Sequence, residues 1–101
     1  MLCHHVFFWL KNPDSQSDKE KLIAGINSLR QISHVSKMHI GIPASTEKRE
    51  VVDNSFSVTE IAFFESEKEE KAYQVDPIHA KFVEDHKHLW EKVLVYDSVD
   101  V

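Results

Sequence analysis

Within Tyr73-Gln74-Val75-Asp76-Pro77-Ile78-His79 a phenol and an imidazole stand six residues apart, separated by a helix-breaking pair. A histidine can serve as general base, drawing a proton from a carbon beside a carbonyl, and a tyrosine hydroxyl can stabilise the oxyanion that develops. Asp76 has the form of a helix N-cap and Pro77 that of the first helical residue, where a missing N–H costs nothing. This puts His79 in the first turn of one helix and Tyr73 in the last turn of the helix before it. In one unbroken helix the two side chains would point about 120° apart. The break frees them to converge on one cavity. The helix N-terminus favours the neutral, basic imidazole, whereas Asp76 favours the protonated one. A plainer alternative has His79 packed in the helix–sheet seam and Tyr73 as a core aromatic with its hydroxyl satisfied at the rim.

Other reactive residue types offer less. His4 and His5 point to opposite faces of one strand and cannot share a metal. His79 and His86 would lie about 10 Å apart along their helix. There is no HExxH motif and no cysteine pair, so no metal site is expected. Cys3 is the single cysteine; it excludes an intrachain disulfide, fits a reducing compartment and is expected to be an inert buried thiol.

The elements that must position these groups follow from hydrophobic periodicity. Leu2 to Lys11 reads as a strand with His4, Val6, Phe8 and Leu10 on one face and Cys3, His5, Phe7 and Trp9 on the other. Asn12-Pro13-Asp14 turns the chain, and Ser17-Asp18-Lys19-Glu20 is a capping-box pattern. Leu22, Ile23, Ile26 and Leu29 then form a helical stripe ending near Gln31. Val35 to Ile42 is expected as a second strand and Pro43 to Asn54 as an exposed loop. Phe56 to Phe64 is a third strand, with Phe56, Val58, Ala62 and Phe64 opposite Ile61 and Phe63. Ser66-Glu67-Lys68-Glu69 opens a short helix to about Gln74. After Asp76-Pro77 a second helix is predicted to run to Trp90 or Glu91, with an inward stripe of His79, Val83, His86 and Trp90 flanked by Phe82 and Leu89. Val93 to Val101 alternates as a final strand.

The order β-α-β-β-α-β, with right-handed crossovers and short connections, predicts an α+β, ferredoxin-like sandwich spanning residues 1–101 as one domain. Two helical layers cover only one face of a four-stranded sheet, and the other face carries too many apolar side chains to stay wet. A homodimer packed sheet to sheet is the expected remedy. Composition supports an ordinary globular chain: 101 residues, 42% hydrophobic and 29% charged, with a net charge of −5. There is no dense basic stripe to suggest a nucleic-acid partner, no signal-peptide pattern, and no apolar run of the roughly 20 residues a membrane span needs. A cytoplasmic location is the default.

Several stretches carry a family resemblance: His4-His5-Val6-Phe7-Phe8-Trp9-Leu10-Lys11, the passage Leu29 to Gly41, Phe63-Phe64-Glu65-Ser66, Tyr73-x-x-Asp76-Pro77-x-His79, and Leu89-Trp90-Glu91-Lys92-Val93-Leu94-Val95-Tyr96-Asp97. Together they resemble the stress-responsive dimeric α/β-barrel (Dabb) family over nearly the whole length. The resemblance implies a ferredoxin-like subunit that dimerises into a closed barrel, with a cavity between each sheet and its helices. One plant member is a polyketide cyclase that makes olivetolic acid without a cofactor. Its catalytic Tyr and His match Tyr73 and His79, its pocket Trp matches Trp90, and a strand-one His matches His4. With Phe82 beside them, His4 and Trp90 are the expected substrate-binding residues. The chain departs from the pattern in having Asp76 where a His is common, and in lacking aromatic residues along Leu22-Ile23-Ala24 to Ile26. Three functions follow: a cofactor-independent cyclase or lyase on a small carbonyl or aromatic compound, a non-catalytic ligand-binding or stress-associated homodimer, and a monooxygenase of the same barrel fold.

Overall fold

Strand β1, Leu2–Leu10, alternates in burial along its whole length, and that alternation organises everything around it. The computed structural model describes residues 1–101. His4, Val6, Phe8 and Leu10 are buried, while Cys3, His5, Phe7 and Trp9 on the opposite face are only half-buried. Helix α1, Gln16–Ser28, lies over the buried face with Leu22 and Ile26 fully enclosed, and a 3-10 turn over Leu29–Gln31 extends it. The N-cap is Ser15, whose hydroxyl accepts from the Asp18 N–H at 3.2 Å, and not the Ser17 of the capping-box pattern. The reason is local. Only Ser15 retains extended backbone (φ −78°, ψ 103°) after the Asn12-Pro13-Asp14 turn, and a capping side chain must sit on the residue outside the helix.

Strand β2, Lys37–Gly41, is shorter than its apolar run. Val35 is taken up by a turn in which its N–H reaches the Ile32 carbonyl. Strand β3 is Val58–Phe64, with Val58, Ala62 and Phe64 buried under the helices as expected. Phe56 does not join them. It lies before the strand, and its ring meets Phe7 on the other face at 5.2 Å between centroids. Residues 43–57 contain no helix or strand.

Helix α2, Glu67–Gln74, is capped by Ser66, and α3, Pro77–His86, by Asp76, whose carboxylate accepts from the Ile78 N–H at 2.8 Å. Here α3 ends earlier than its apolar stripe. The His86 ring bonds the Phe82 carbonyl at 2.8 Å, a 3-10 turn covers Lys87–Leu89, and the Leu89 carbonyl is taken by the Lys11 N–H at 2.9 Å. Trp90 is therefore the first residue of β4, Trp90–Val99, and not a helical residue. The sheet ladder has outcompeted the helix for this backbone.

The sheet is fully antiparallel in the order β2-β3-β1-β4, which is the ferredoxin-like arrangement with its second helical layer in two pieces. All helices lie on one face. The other face carries Cys3, Phe7, Trp9, Ile61, Phe63, Leu94 and Tyr96 with no layer over it, and Tyr96 is 62% exposed. Cys3 thus sits half-buried on this open face, not buried in the core.

The capping geometry sets the cost of removing each cap. Asp76→Ala and Ser15→Ala should each lower unfolding free energy by about 1 kcal/mol, whereas Ser17→Ala should leave it unchanged. Urea titrations of the three variants check this, and equal losses at Ser15 and Ser17 would contradict the assignment.

Candidate active site

Asp76 and Pro77 do what their chemistry predicts, and the two helices they separate meet at an angle that brings Tyr73 and His79 together. The rings stand edge to face, 4.8 Å between centroids and 71° between planes. Both line a cavity of about 160 Å³ between the sheet and α2–α3. His4, Phe82 and Trp90 line the same cavity, so all five residues singled out in the sequence share one space.

The apolar wall is aromatic. Phe82 stands 6.3 Å from Phe8 and 5.8 Å from Trp90, and Phe8 and Trp90 are 5.1 Å apart, all between centroids. Val93 and Val95, on the helix side of the edge strand β4, complete it. His86 is the exception to the predicted inward stripe. Its ring turns towards α1, where it occupies the space above Gly25 that a Cβ would need. A side chain larger than hydrogen at position 25 would collide with it.

The polar end contains two acids that periodicity alone did not single out. Glu60 lies in phase with Val58, Ala62 and Phe64 on the buried face of β3, and it is 2% exposed. A charged residue in register with an apolar face was the available signal. The Tyr73 hydroxyl donates to Glu60 Oε2 at 2.9 Å. The phenol proton is thereby committed to Glu60, which changes the simple expectation that it faces a ligand. Asp97, opposite His4 in the β1–β4 ladder, holds His4 Nδ1 at 2.6 Å. Since a carboxylate only accepts, the ring nitrogen facing it, Nδ1, carries a proton.

Electrostatics sort these groups. Burial, followed by the charge of His4, lowers the His79 pKa below its ordinary value, against the smaller opposing pull of Asp76 and Glu70. Of the two influences expected from sequence, Asp76 acts in the predicted direction but loses to desolvation. The Glu60 carboxyl is raised by burial, only partly offset by the Tyr73 hydrogen bond and by His4. Tyr73 is pushed far up, first by burial and then by Glu60, so its hydroxyl stays protonated. The site therefore combines a neutral imidazole with no hydrogen bond to the protein, a protonated phenol and a buried carboxyl, beside an aromatic wall. That set suits proton abstraction next to a carbonyl. No group of three or more His, Cys, Asp or Glu side chains is placed to hold a metal ion, and no helix is long and apolar enough to cross a membrane.

Among solved structures, the chain is similar to the Arabidopsis thaliana protein At3g17210, at 24% identity over 100% of this chain and 96% of that one, with a TM-score of 0.81. It is also similar to hydroxynitrile lyase from Passiflora edulis, at 20% identity over 99% and 93% of the two chains, TM-score 0.81. A dimeric ferredoxin-like protein of unknown function from Bacteroides fragilis matches at 16% identity over 96% and 93%, TM-score 0.73. No curated protein matches by sequence. At these identities the structural likenesses bear on the fold. The sequence pattern of the stress-responsive A/B barrel domain, Dabb, matches residues 2–100, and the chain belongs to that family.

Proposed function

We propose that the chain is a cofactor-independent enzyme of the cyclase or lyase kind, acting on a small carbonyl or aromatic compound with His79 as its base. The observation that carries this reading is the open cavity on which His79, His4 and the Tyr73–Glu60 pair converge, with Trp90 and Phe82 lining it and not filling it. A carbon acid with its C–H towards His79 gives its proton to the imidazole nitrogen. The electron pair of that bond moves towards the carbonyl oxygen, and the developing charge is met at the Tyr73 end. In cyclisation the carbanion then bonds to a second carbonyl carbon of the same molecule, whose C=O electron pair moves to oxygen and takes the proton from the imidazolium; in lysis the electron pair expels a group on the neighbouring carbon, and that group takes the proton. His4, aimed by Asp97, and the Trp90 wall orient the ring. The match of Tyr73 and His79 to the catalytic pair of the plant cyclase and the fold likeness to a lyase are in keeping with this class.

A space of about 160 Å³ takes one substituted ring and is too small for a porphyrin, so of the cofactor-free and haem-degrading monooxygenase readings it lends no support to the haem-degrading one. A non-catalytic ligand-binding dimer would use the same cavity without turnover. The homodimer itself belongs to this proposal. The uncovered aromatic face of the sheet supports it, as does the dimeric Bacteroides fragilis relative. The single free thiol is in keeping with a reducing compartment such as the cytoplasm.

Two outcomes are expected. Sedimentation should give a dimer at micromolar concentration that buries about 1,200 Å² or more in total; a stable monomer contradicts the sheet-to-sheet pairing. In deuterated water, the protein should accelerate hydrogen exchange at the central carbon of a small β-dicarbonyl, followed by NMR. The rate should fall as pH drops through the lowered His79 titration, because a protonated imidazole cannot accept. His79→Ala should lose about 100-fold or more. Exchange no faster than in buffer, with the ligand bound, would leave only the binding reading.

A further inference from the structure

Glu60 is the buried acid that the base chemistry leaves unused. It faces His4 from β1, with Asp97 of β4 behind that ring. From α2 come Tyr73 and, further out, Glu70, and across the cavity stands His79 with Asp76 at its helix cap. Ile40 is its β2 neighbour. No cationic nitrogen forms an ion pair with it. Oε2 receives the Tyr73 proton, and Oε1 has no protein partner. Every fully enclosed side-chain nitrogen or oxygen in the chain has a hydrogen-bond partner. Oε1 is therefore not sealed, and the space it opens to is the cavity that Glu60 lines.

A phenol has one proton, and Tyr73 spends it on Glu60. A ligand oxygen arriving at this end needs a donor that Tyr73 no longer supplies. We propose that Glu60, through an O–H on Oε1, is the group that donates a hydrogen bond to the oxygen of a carbonyl ligand, and that Tyr73 is a positioning residue behind it. This deepens the proton-abstraction reading and rests on it for its catalytic meaning, though not for binding. Two observations favour the acid form. Burial raises the carboxyl above the ordinary carboxylate range, outweighing the Tyr73 hydrogen bond and His4, and no ion pair reaches this almost wholly enclosed group to hold it as a carboxylate. A neutral carboxylic acid next to a tyrosine is a known way to build an oxyanion site. As His79 takes the carbon-bound proton, the electron pair moves to the ligand oxygen, and the hydrogen bond that Oε1–H donates to that oxygen strengthens while the proton stays on Glu60. The ligand class follows: one small aromatic ring bearing a ketone or aldehyde, with its oxygen towards β3 and its ring against Trp90.

The test uses the full-length protein and acetophenone with an isotope-labelled carbonyl, read by difference infrared spectroscopy. In the wild type the bound carbonyl stretch should shift to lower frequency, and the shift should vanish as pH rises through the Glu60 titration. It should persist in Glu60→Gln, whose amide still donates, without that pH dependence. It should be lost in Glu60→Leu. In Tyr73→Phe and His79→Ala it should survive, even where affinity falls. A shift that survives in Glu60→Leu and disappears in Tyr73→Phe would make Tyr73 the donor and overturn the proposal, as would an unshifted carbonyl bound in the wild type. Loss of β-dicarbonyl exchange with the acetophenone shift intact would remove the enzyme reading and leave Glu60 as the donor.

Discussion

The site depends on one local interaction, the hydrogen bond from the Ile78 N–H to the Asp76 carboxylate at 2.8 Å, set beside a proline at the first helical position. Without that stop, α2 and α3 would be one helix, and Tyr73 and His79 would point in different directions. With it, the chain turns at Val75, each helix lays its own apolar side on the sheet, and the two rings come into edge contact. A cap usually contributes only about 1 kcal/mol to stability. Its larger effect here is geometric, because it decides whether the imidazole and the phenol share a cavity.

The same sheet serves two surfaces by the alternation of its strands. His4, Val6 and Phe8 face the helices and the cavity, while Phe7 and Trp9, one residue away, face the uncovered side. There Phe7 touches Phe56 and Tyr96, Trp9 donates to Ser55, and Lys92 lies over the Trp9 ring at 4.4 Å. A substitution that slipped β1 by one residue would exchange the two faces, destroying cavity and aromatic face together. Cavity and open face are thus coupled through strand register.

How much of this was legible beforehand differs by feature. The element order and the ferredoxin-like sheet followed from strong periodicities such as Leu2–Leu10 and Leu22-Ile26-Leu29, which tertiary packing reinforces. The Asp76–Pro77 break was legible because capping is local chemistry. Element ends were not, since they depend on competition at a distance: Trp90 carries helical spacing, but the β1 ladder claims its backbone. Ser15 prevailed over Ser17 through the exit angle of a turn, which residue types do not encode. At the site, single side chains with strong chemistry were visible, whereas their partners were not. Asp97 and Glu60 acquire meaning only once strand register places them beside His4 and Tyr73.

Burial favours the neutral form of the His79 imidazole although acids lie nearby. Burial outweighs Asp76 and Glu70 at His79, and burial likewise outweighs the Tyr73 bond at Glu60, so desolvation is the leading influence on both groups. The central claim, a neutral His79 open to a ligand, is tested most directly by following its ring protons by NMR as pH is lowered, with and without a small phenol or β-dicarbonyl. The account predicts a midpoint below that of an ordinary histidine and ring resonances that move when the ligand binds. A midpoint at or above the ordinary value, with resonances indifferent to the ligand, would contradict it.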